Sequence, residues 1–529
     1  MSIWDLLMTL LPIVVVLIAL VVFRRPADIS GIIGWVVISG VALFFFQTSF
    51  EVILRSTAAG FIQSFSVSMI VAASLLQMAL MEKTGALKRV IIFIKTLASD
   101  NRAVSIMMIS IGFGTLMVAV GATPVSVLPP ILIAMGYTTY VAIALPAIGY
   151  DSLCTYALLG APIVVFVDFA NRHLGAGNEI TLSEAGMVFY KFLPVVSTLI
   201  GFSMLWIVGR WKAMVQGALP CLITGGVIAV VAYFTNQHDN LVVLTGVLCG
   251  LAVIATMALY LKVSGRKVID NSRLTEDELR YAAGFPLWRA LTPWLLLIGL
   301  ILALNLPKSI FDFLYKDLPL AIPGLKADGS ALKTRALWQA YTWIFVSTFL
   351  AIPLLRPTKA QLADTFKVWL KRAPRPVFAA AIFFAIGEIM EMTGINVSGK
   401  YSMVKVLALY SADTFQGAYG AIVSFIGLLG GFITGSEAST IATFASYTLT
   451  TSKELGMTAQ GMLIITAGLA FGGGLASVIS PAKLQNAAAS IDKIGEEGKV
   501  MRTAFVLSLI LTTVTAAFVM ILLAVETKS

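Results

Sequence analysis

The chain has 529 residues, of which 58% are hydrophobic and only 12% charged, against about a quarter charged in soluble domains. Apolar runs recur from end to end and no polar stretch is long enough to bury its own core, which points to a polytopic membrane protein without a soluble domain. The net charge of +10 sits in short Lys/Arg clusters between the apolar runs, as the positive-inside rule expects, so it does not imply nucleic acid.

Leu7–Phe23 ends at Arg24-Arg25, which places those arginines in the cytoplasm and the N-terminus outside. Arginines after the apolar run, not before it, also argue against a cleavable signal. Ile29–Phe46 returns outward, and Phe61–Met81 comes in to the basic stretch Lys83–Arg102. Within that stretch Leu87–Leu97 reads as an interfacial amphipathic helix. Ser105–Met135 holds Gly121, Pro124, Pro129 and Pro130, which break any simple helix. It reads as a re-entrant hairpin entered from the cytoplasm, with its tip near Gly121–Ser126. Tyr140–Val167 is interrupted at Gly149–Ser152 and again at Gly160-Ala161-Pro162, the pattern of a discontinuous span.

Phe192–Val208, Ala218–Phe234, Leu241–Leu261 and Leu291–Leu306 alternate across the membrane, with the basic loop Lys262–Arg289 inside. Leu337–Leu355 leads to the basic segment Lys359–Arg375, and Val377–Met392 goes out to Met392-Thr393-Gly394. In Gly427–Ser446, GLLGGFITGSEASTIATFAS, two apolar arms meet at Thr434-Gly435-Ser436-Glu437. Each arm is shorter than the roughly 20 residues a crossing needs, so the stretch reads as a second hairpin, entered from outside. The alternative is one ordinary span with a glycine packing face. Met462–Ser480 is broken at Gly472–Gly474 and Ser480-Pro481, and Val506–Leu523 ends outside. The expected fold is all-α, with about twelve spans and two hairpins.

Met-Glu-Lys-Thr-Gly at Met81–Gly85 recurs as Met-Glu-Met-Thr-Gly at Met390–Gly394. Gly136-Tyr137-Thr138 recurs as Gly456-Met457-Thr458, and Ala161-Pro162 as Ser480-Pro481, at nearly constant separation along the chain. The charge pattern puts the two copies in opposite orientation, and inverted repeats with broken helices mark secondary transporters. The division read from this is 1–60 and 190–376 as scaffold, 61–170 and 377–490 as mobile repeat cores, and 491–529 as a terminal helix.

Helix N-termini offer unpaired N–H groups to a carboxylate, and hydroxyls complete its shell. The breaks and tips supply both: Gly121, Thr123, Ser126, Ser152, Thr155, Thr434, Gly435, Ser436, Ser439, Gly473, Ser477 and Ser480 are the candidate substrate contacts. Small residues also serve close packing, which is the competing reading for each. Carboxylates inside a membrane are costly and mark function by default. Glu437, Asp151 and Glu388 are therefore the candidates for proton coupling, with Glu437 also readable as a fixed cap. Glu82 and Glu391 read as helix-end anchors, and Lys483 as a side chain reaching the cytoplasm.

Cys154, Cys221 and Cys249 lie in apolar runs and read as core residues. His173 and His238 lie in loops without a second ligand at metal spacing, so no metal site is expected. No P-loop is present, and no His/Asp/Glu cluster suggests an enzyme; neither cofactor nor nucleotide is expected. A channel is the rival class, disfavoured by the paired broken helices.

These residues resemble the bacterial lactate permease family, most clearly through GLLGGFITGSEAST and GGGLASVISPAKLQNAAAS, and more loosely through FGTLMVAVGATPVSVLPP and GYDSLCTYALLGAPI. The resemblance implies a secondary transporter for L-lactate, glycolate and related monocarboxylates. It also implies kinship with ion-coupled transporters that move paired hairpins in an elevator-like shift. Family members carry a glutamate in the first hairpin, whereas this chain reads Met117-Val118-Ala119-Val120-Gly121. The expected partners are a small organic anion, a coupling ion (a proton ahead of sodium) and the lipid of a bacterial cytoplasmic membrane. A homodimer is left open.

Overall fold

Apolar runs become helices that stop where glycine, proline or Thr-Gly punctuates them. The computed structural model describes residues 2–97, 101–174 and 179–526. The side chains of Asp151 and Ser477 lie outside the described residues, and with them the roles expected of those two groups. Among the described residues, twelve helices are long and apolar enough to cross a membrane, or thirteen if a pair bent by 87° at residues 292–317 is one span. The chain is thus an all-α, multi-pass protein; the one sheet among the described residues is a two-stranded ribbon, β1 (Ala321–Ile322) paired antiparallel with β2 (Leu332–Lys333).

The first half runs α1 (Ile3–Val21), α2 (Ala27–Phe44), α3 (Phe50–Gln63), α4 (Phe65–Lys83) and α5 (Ala86–Thr96). The first hairpin is α6 (Arg102–Ala119), π-helical over Met107–Phe113, and α7 (Pro124–Ala134). Then come α8 (Thr139–Gly149), a 3₁₀ turn at Tyr150–Tyr156 and α9 (Ala157–Leu174). Next are α10 (Leu182–Phe189), α11 (Leu193–Gln216), α12 (Ala218–Asn236), α13 (Thr245–Val263) and α14 (Glu276–Gly284). The second half runs α15 (Thr292–Asn305), α16 (Ala340–Leu355), α17 (Lys359–Arg372), α18 (Pro374–Met392) and α19 (Met403–Phe415). Its hairpin is α20 (Tyr419–Thr434) and α21 (Glu437–Glu454), followed by α22 (Ala459–Ala476), α23 (Pro481–Ala489) and α24 (Glu497–Glu526).

The element order repeats. α4 and α18 are each 19 residues long and end at the duplicated Met-Glu-x-Thr-Gly. Both hairpin tips turn on a left-handed glycine, Gly121 at φ +88° and Gly435 at φ +70°, and both hairpins end on another, Gly136 and Gly456. Only glycine takes that conformation without penalty. The contacts are exchanged as well: α2 and α3 lie on α18, while α16 and α17 lie on α4.

The second hairpin differs from the sequence reading in its arms, which are 16 and 18 residues long. The hydroxyl-rich stretch after Ser446 stays helical because each hydroxyl bonds the carbonyl one turn back. Thr448 donates to Phe444, Thr451 to Tyr447 and Ser452 to Thr448 at 2.6–2.9 Å. Each of these buried hydroxyls thus has a hydrogen-bond partner inside its own helix. α15 and α16 are shorter than a full span, at 14 and 16 residues.

α20 and α22 approach backbone to backbone: a Cβ on Gly427 would overlap the Leu469 carbonyl, and one on Gly472 would overlap that of Ser424. Small residues allow such approach where side chains cannot. Gly427→Leu is therefore expected to cost about 3 kcal/mol or more through overpacking. A fall in the thermal midpoint of the detergent-purified protein would report it, with exposed Gly498→Ala as the neutral control.

Polar contacts gather at two ends. At one, Arg375 pairs with Asp28 and Arg372 with Glu82, both at 2.7 Å, and Lys95 with Glu278 at 2.5 Å. Burial alone would raise the Glu278 carboxyl, but the Lys95 ammonium outweighs it and holds it below the ordinary glutamate value. At the other end Lys400 pairs with Asp5 at 3.2 Å and Arg335 with Asp168 at 2.7 Å, and the Ser183 amide donates to Asp239. Each contact joins segments that the charge pattern assigns to one side.

Candidate functional site

Glu437 opens α21, two residues past Gly435, with Ser436 as the N-cap accepting from the Ser439 amide. Its carboxylate is 2% exposed, and the buried Thr155 hydroxyl donates to Oε1 at 2.6 Å. That length is typical of a charge-assisted O–H···O⁻ bond. Thr155 belongs to the 3₁₀ turn that breaks the first discontinuous helix, so the bond ties this break to the second tip. Gly474 of α22 lies on the other face, where an added Cβ would come within 2.7 Å of Oε2 and 3.3 Å of the Cys154 Cβ. Gly474 is glycine because the carboxylate and Cys154 leave no room.

The second break joins the same group. A Cβ on Gly435 would sit 3.4 Å from the Ser480 hydroxyl, and Ser480 is the N-cap of α23, with Pro481 at its first position. The Thr434 hydroxyl donates to the Ser436 carbonyl at 2.9 Å and lies 3.2 Å from Thr440, which holds the tip shut on itself. Ser152 donates to the Gly149 carbonyl at 3.0 Å and lies 3.1 Å from Thr115, linking the first break to α6. Past it the chain is strained: Leu158 and Leu159 take left-handed φ of 53° and 54° before Gly160 at 74°. For a leucine that conformation costs about 1–2 kcal/mol, and strain of this kind collects at functional sites.

The first tip is placed differently. Gly121 packs on Ser74 and the end of Leu158, but Thr123 and Ser126 are exposed and meet only each other, at 3.4 Å. Gly473 is a packing residue, its Cα facing the Thr440 side chain. Glu388 stands apart from the tips. Its Oε2 accepts from Gln63 at 3.0 Å and pairs with Arg172 at 3.1 Å, and Lys326 approaches Oε1 at 4.0 Å. Glu391 extends this cluster, accepting from Ser446 at 2.8 Å with His173 at 3.9 Å. Burial, then the nearby Arg172 charge, press the loop residue Lys326 below the ordinary lysine value.

The sequence reading named Thr155 and Glu437 but not their pairing, and it left Gly474 within a general glycine run. It singled out neither Arg172 nor Lys326. The one signal for that cluster was the spacing of Glu388 and Glu391, which shares a helix face.

Helices that cross a bilayer, broken inside the bundle and meeting at a buried carboxylate, define a multi-pass membrane transporter. A family model described as L-lactate permease matches residues 5–526, and the chain belongs to that family. It is similar to the Escherichia coli K12 L-lactate permease, 23% identical over 97% of this chain and 95% of the relative. It is also similar to glycolate permease GlcA of the same organism, 24% identical over 96% and 94%. These relatives are permeases, not enzymes. Among solved structures the chain is similar to Neisseria gonorrhoeae MtrF, 13% identical over 89% of this chain and 83% of that one, with a TM-score of 0.43. For the Alcanivorax borkumensis YdaH transporter the values are 12%, 89%, 88% and 0.45.

Proposed function

We propose that this protein carries a small 2-hydroxymonocarboxylate such as L-lactate or glycolate across the bacterial cytoplasmic membrane together with a proton. The observation that carries the reading is the buried Thr155–Glu437 bond, which joins a helix break to a hairpin tip around an acid. A protonated Glu437 donates a hydrogen bond to the substrate carboxylate; an ionised one repels it. Binding of proton and substrate are then linked, which is symport chemistry. The names of the two Escherichia coli relatives support the substrate class.

The repeated element order and exchanged helix contacts support two inverted copies, with both hairpins re-entrant and the N-terminus outside. In this reading the repeat cores shift as a body against the scaffold helices. Proteoliposomes loaded with the purified protein test the function. Uptake of labelled L-lactate or glycolate is expected to be concentrative under an inward proton gradient and indifferent to sodium. Concentrative uptake under sodium alone would assign the other coupling ion, and uptake that only equilibrates would assign a channel.

A further inference from the structure

Beside Thr155 the first break carries a large side chain bonded away from the Glu437 group. Tyr156 ends the 3₁₀ turn and is fully buried. Its hydroxyl donates at 2.8 Å to Oδ1 of Asn236, the last residue of α12. Asn236 is fully buried too, and its amide has a fixed sense. Nδ2 donates to the Ala232 carbonyl at 2.7 Å and to the Thr245 hydroxyl of α13 at 3.4 Å, which leaves Oδ1 to accept from Tyr156. Thr245 lies 2.7 Å from the Thr235 hydroxyl, and Thr235 donates to the Val231 carbonyl at 3.0 Å. Each polar side chain in this run has a partner, where an unpartnered one is costly.

Two glycines press on the same bond. A Cβ on Gly186 of α10 would come within 2.2 Å of Asn236 Oδ1, and one on Gly246 of α13 within 2.6 Å of the Tyr156 carbonyl oxygen. The backbone of the break needs such a hold. Leu153 leaves the helical region at φ −137° and ψ 40°, and Leu158 and Leu159 are left-handed. Thr155 lies between them, yet its hydroxyl reaches Glu437 Oε1 to 2.6 Å. Strained backbone persists only where its surroundings over-determine it. The Tyr156–Asn236 bond supplies that constraint one residue from Thr155.

We propose that Tyr156 and Asn236 are positioning residues, which clamp the turn to α12 and so set the Thr155 hydroxyl on the Glu437 carboxylate. The proposal rests on the reading of Glu437 as the coupling acid. Among the described residues Asn236 makes no hydrogen bond to Glu437, so its effect passes through Tyr156 and Thr155. Tyr156 and Cys154 are the titratable side chains that the first break brings to Glu437, and both types are ordinarily uncharged at pH 7. α22 brings none, and α23 carries Lys483 three residues past the Ser480 that meets the tip.

Infrared difference titration of the purified full-length protein tests the clamp, with the Glu437 carboxyl band identified by its loss in Glu437→Gln. Donation by Thr155 favours the ionised carboxylate, so a displaced hydroxyl moves the midpoint of that band to higher pH. Tyr156→Phe is expected to move it up by about one pH unit, as Thr155→Val does. Tyr156→Phe combined with Asn236→Leu, which strands no buried amide oxygen, is expected to do the same. In the Thr155→Val background the Tyr156 change is expected to add less than about 0.3 of a unit, because it acts through that hydroxyl. The pH profile of labelled L-lactate or glycolate uptake is expected to move in step. A wild-type midpoint in both Tyr156 variants, whatever their thermal stability, or a shift that simply adds to that of Thr155→Val, would overturn the positioning role. Uptake by the wild type that ignores the proton gradient would sink the coupling reading instead, and the carboxyl titration would still decide the clamp.

Discussion

Glu437→Gln is expected to abolish proton-driven accumulation of substrate while preserving exchange of substrate across the membrane. The amide keeps the size of the side chain and its place beside Thr155 and Gly474, where the packing leaves no slack. It can still donate to a carboxylate, as the protonated acid does, but it cannot release a proton. Binding and counterflow therefore survive, and only the coupling is lost. Thr155→Val removes the hydroxyl that holds Oε1 and is expected to shift the pH profile of uptake without abolishing accumulation. If Glu437→Gln still concentrates substrate with a normal pH dependence, Glu437 is a fixed cap at the tip, and coupling moves to Asp151.

Arg172→Ala is expected to be the most destabilising single change in the polar interior. Glu388 is 1% exposed and takes its close ionic contact from Arg172, with Lys326 a further 0.9 Å away than that partner's 3.1 Å. Removing one member of a buried pair leaves an uncompensated charge, a loss of about 3–5 kcal/mol. Lys326 moderates this, so a figure near the lower bound, about 3 kcal/mol, is expected. Combining Arg172→Ala with Glu388→Gln is expected to recover most of it, because the carboxylate that lost its close partner is then neutral. Thermal midpoints for the two single variants and the double variant measure the coupling, and additivity within about 0.5 kcal/mol would show that the pair does not interact.

The architecture was legible because its punctuation is chemical. Gly121, Gly435, Gly136 and Gly456 mark turns that need left-handed backbone, and Pro162 and Pro481 mark helix starts, so both breaks and both tips could be read off the chain. Arm lengths were not legible. The Thr/Ser stretch after Ser446 looks like a polar end until its hydroxyls are seen to bond the helix behind them. Distant pairings were equally hidden. Thr155 meets Glu437 across most of the chain, and Arg172, Lys326 and Glu388 come from three separate elements, which no local spacing encodes. Thr123 and Ser126, read as tip hydroxyls, are exposed and lie against each other, away from the Glu437 group.

The most direct measurement of the linkage between proton and substrate is made without a membrane. Purified protein in weak buffer near neutral pH is mixed with saturating L-lactate or glycolate, and the pH of the solution is followed. Proton uptake is expected on binding by the wild type and none by Glu437→Gln, although the variant binds substrate. Equal proton uptake by the variant, or substrate binding by the wild type with no proton taken up at any pH between 5 and 8, would contradict it.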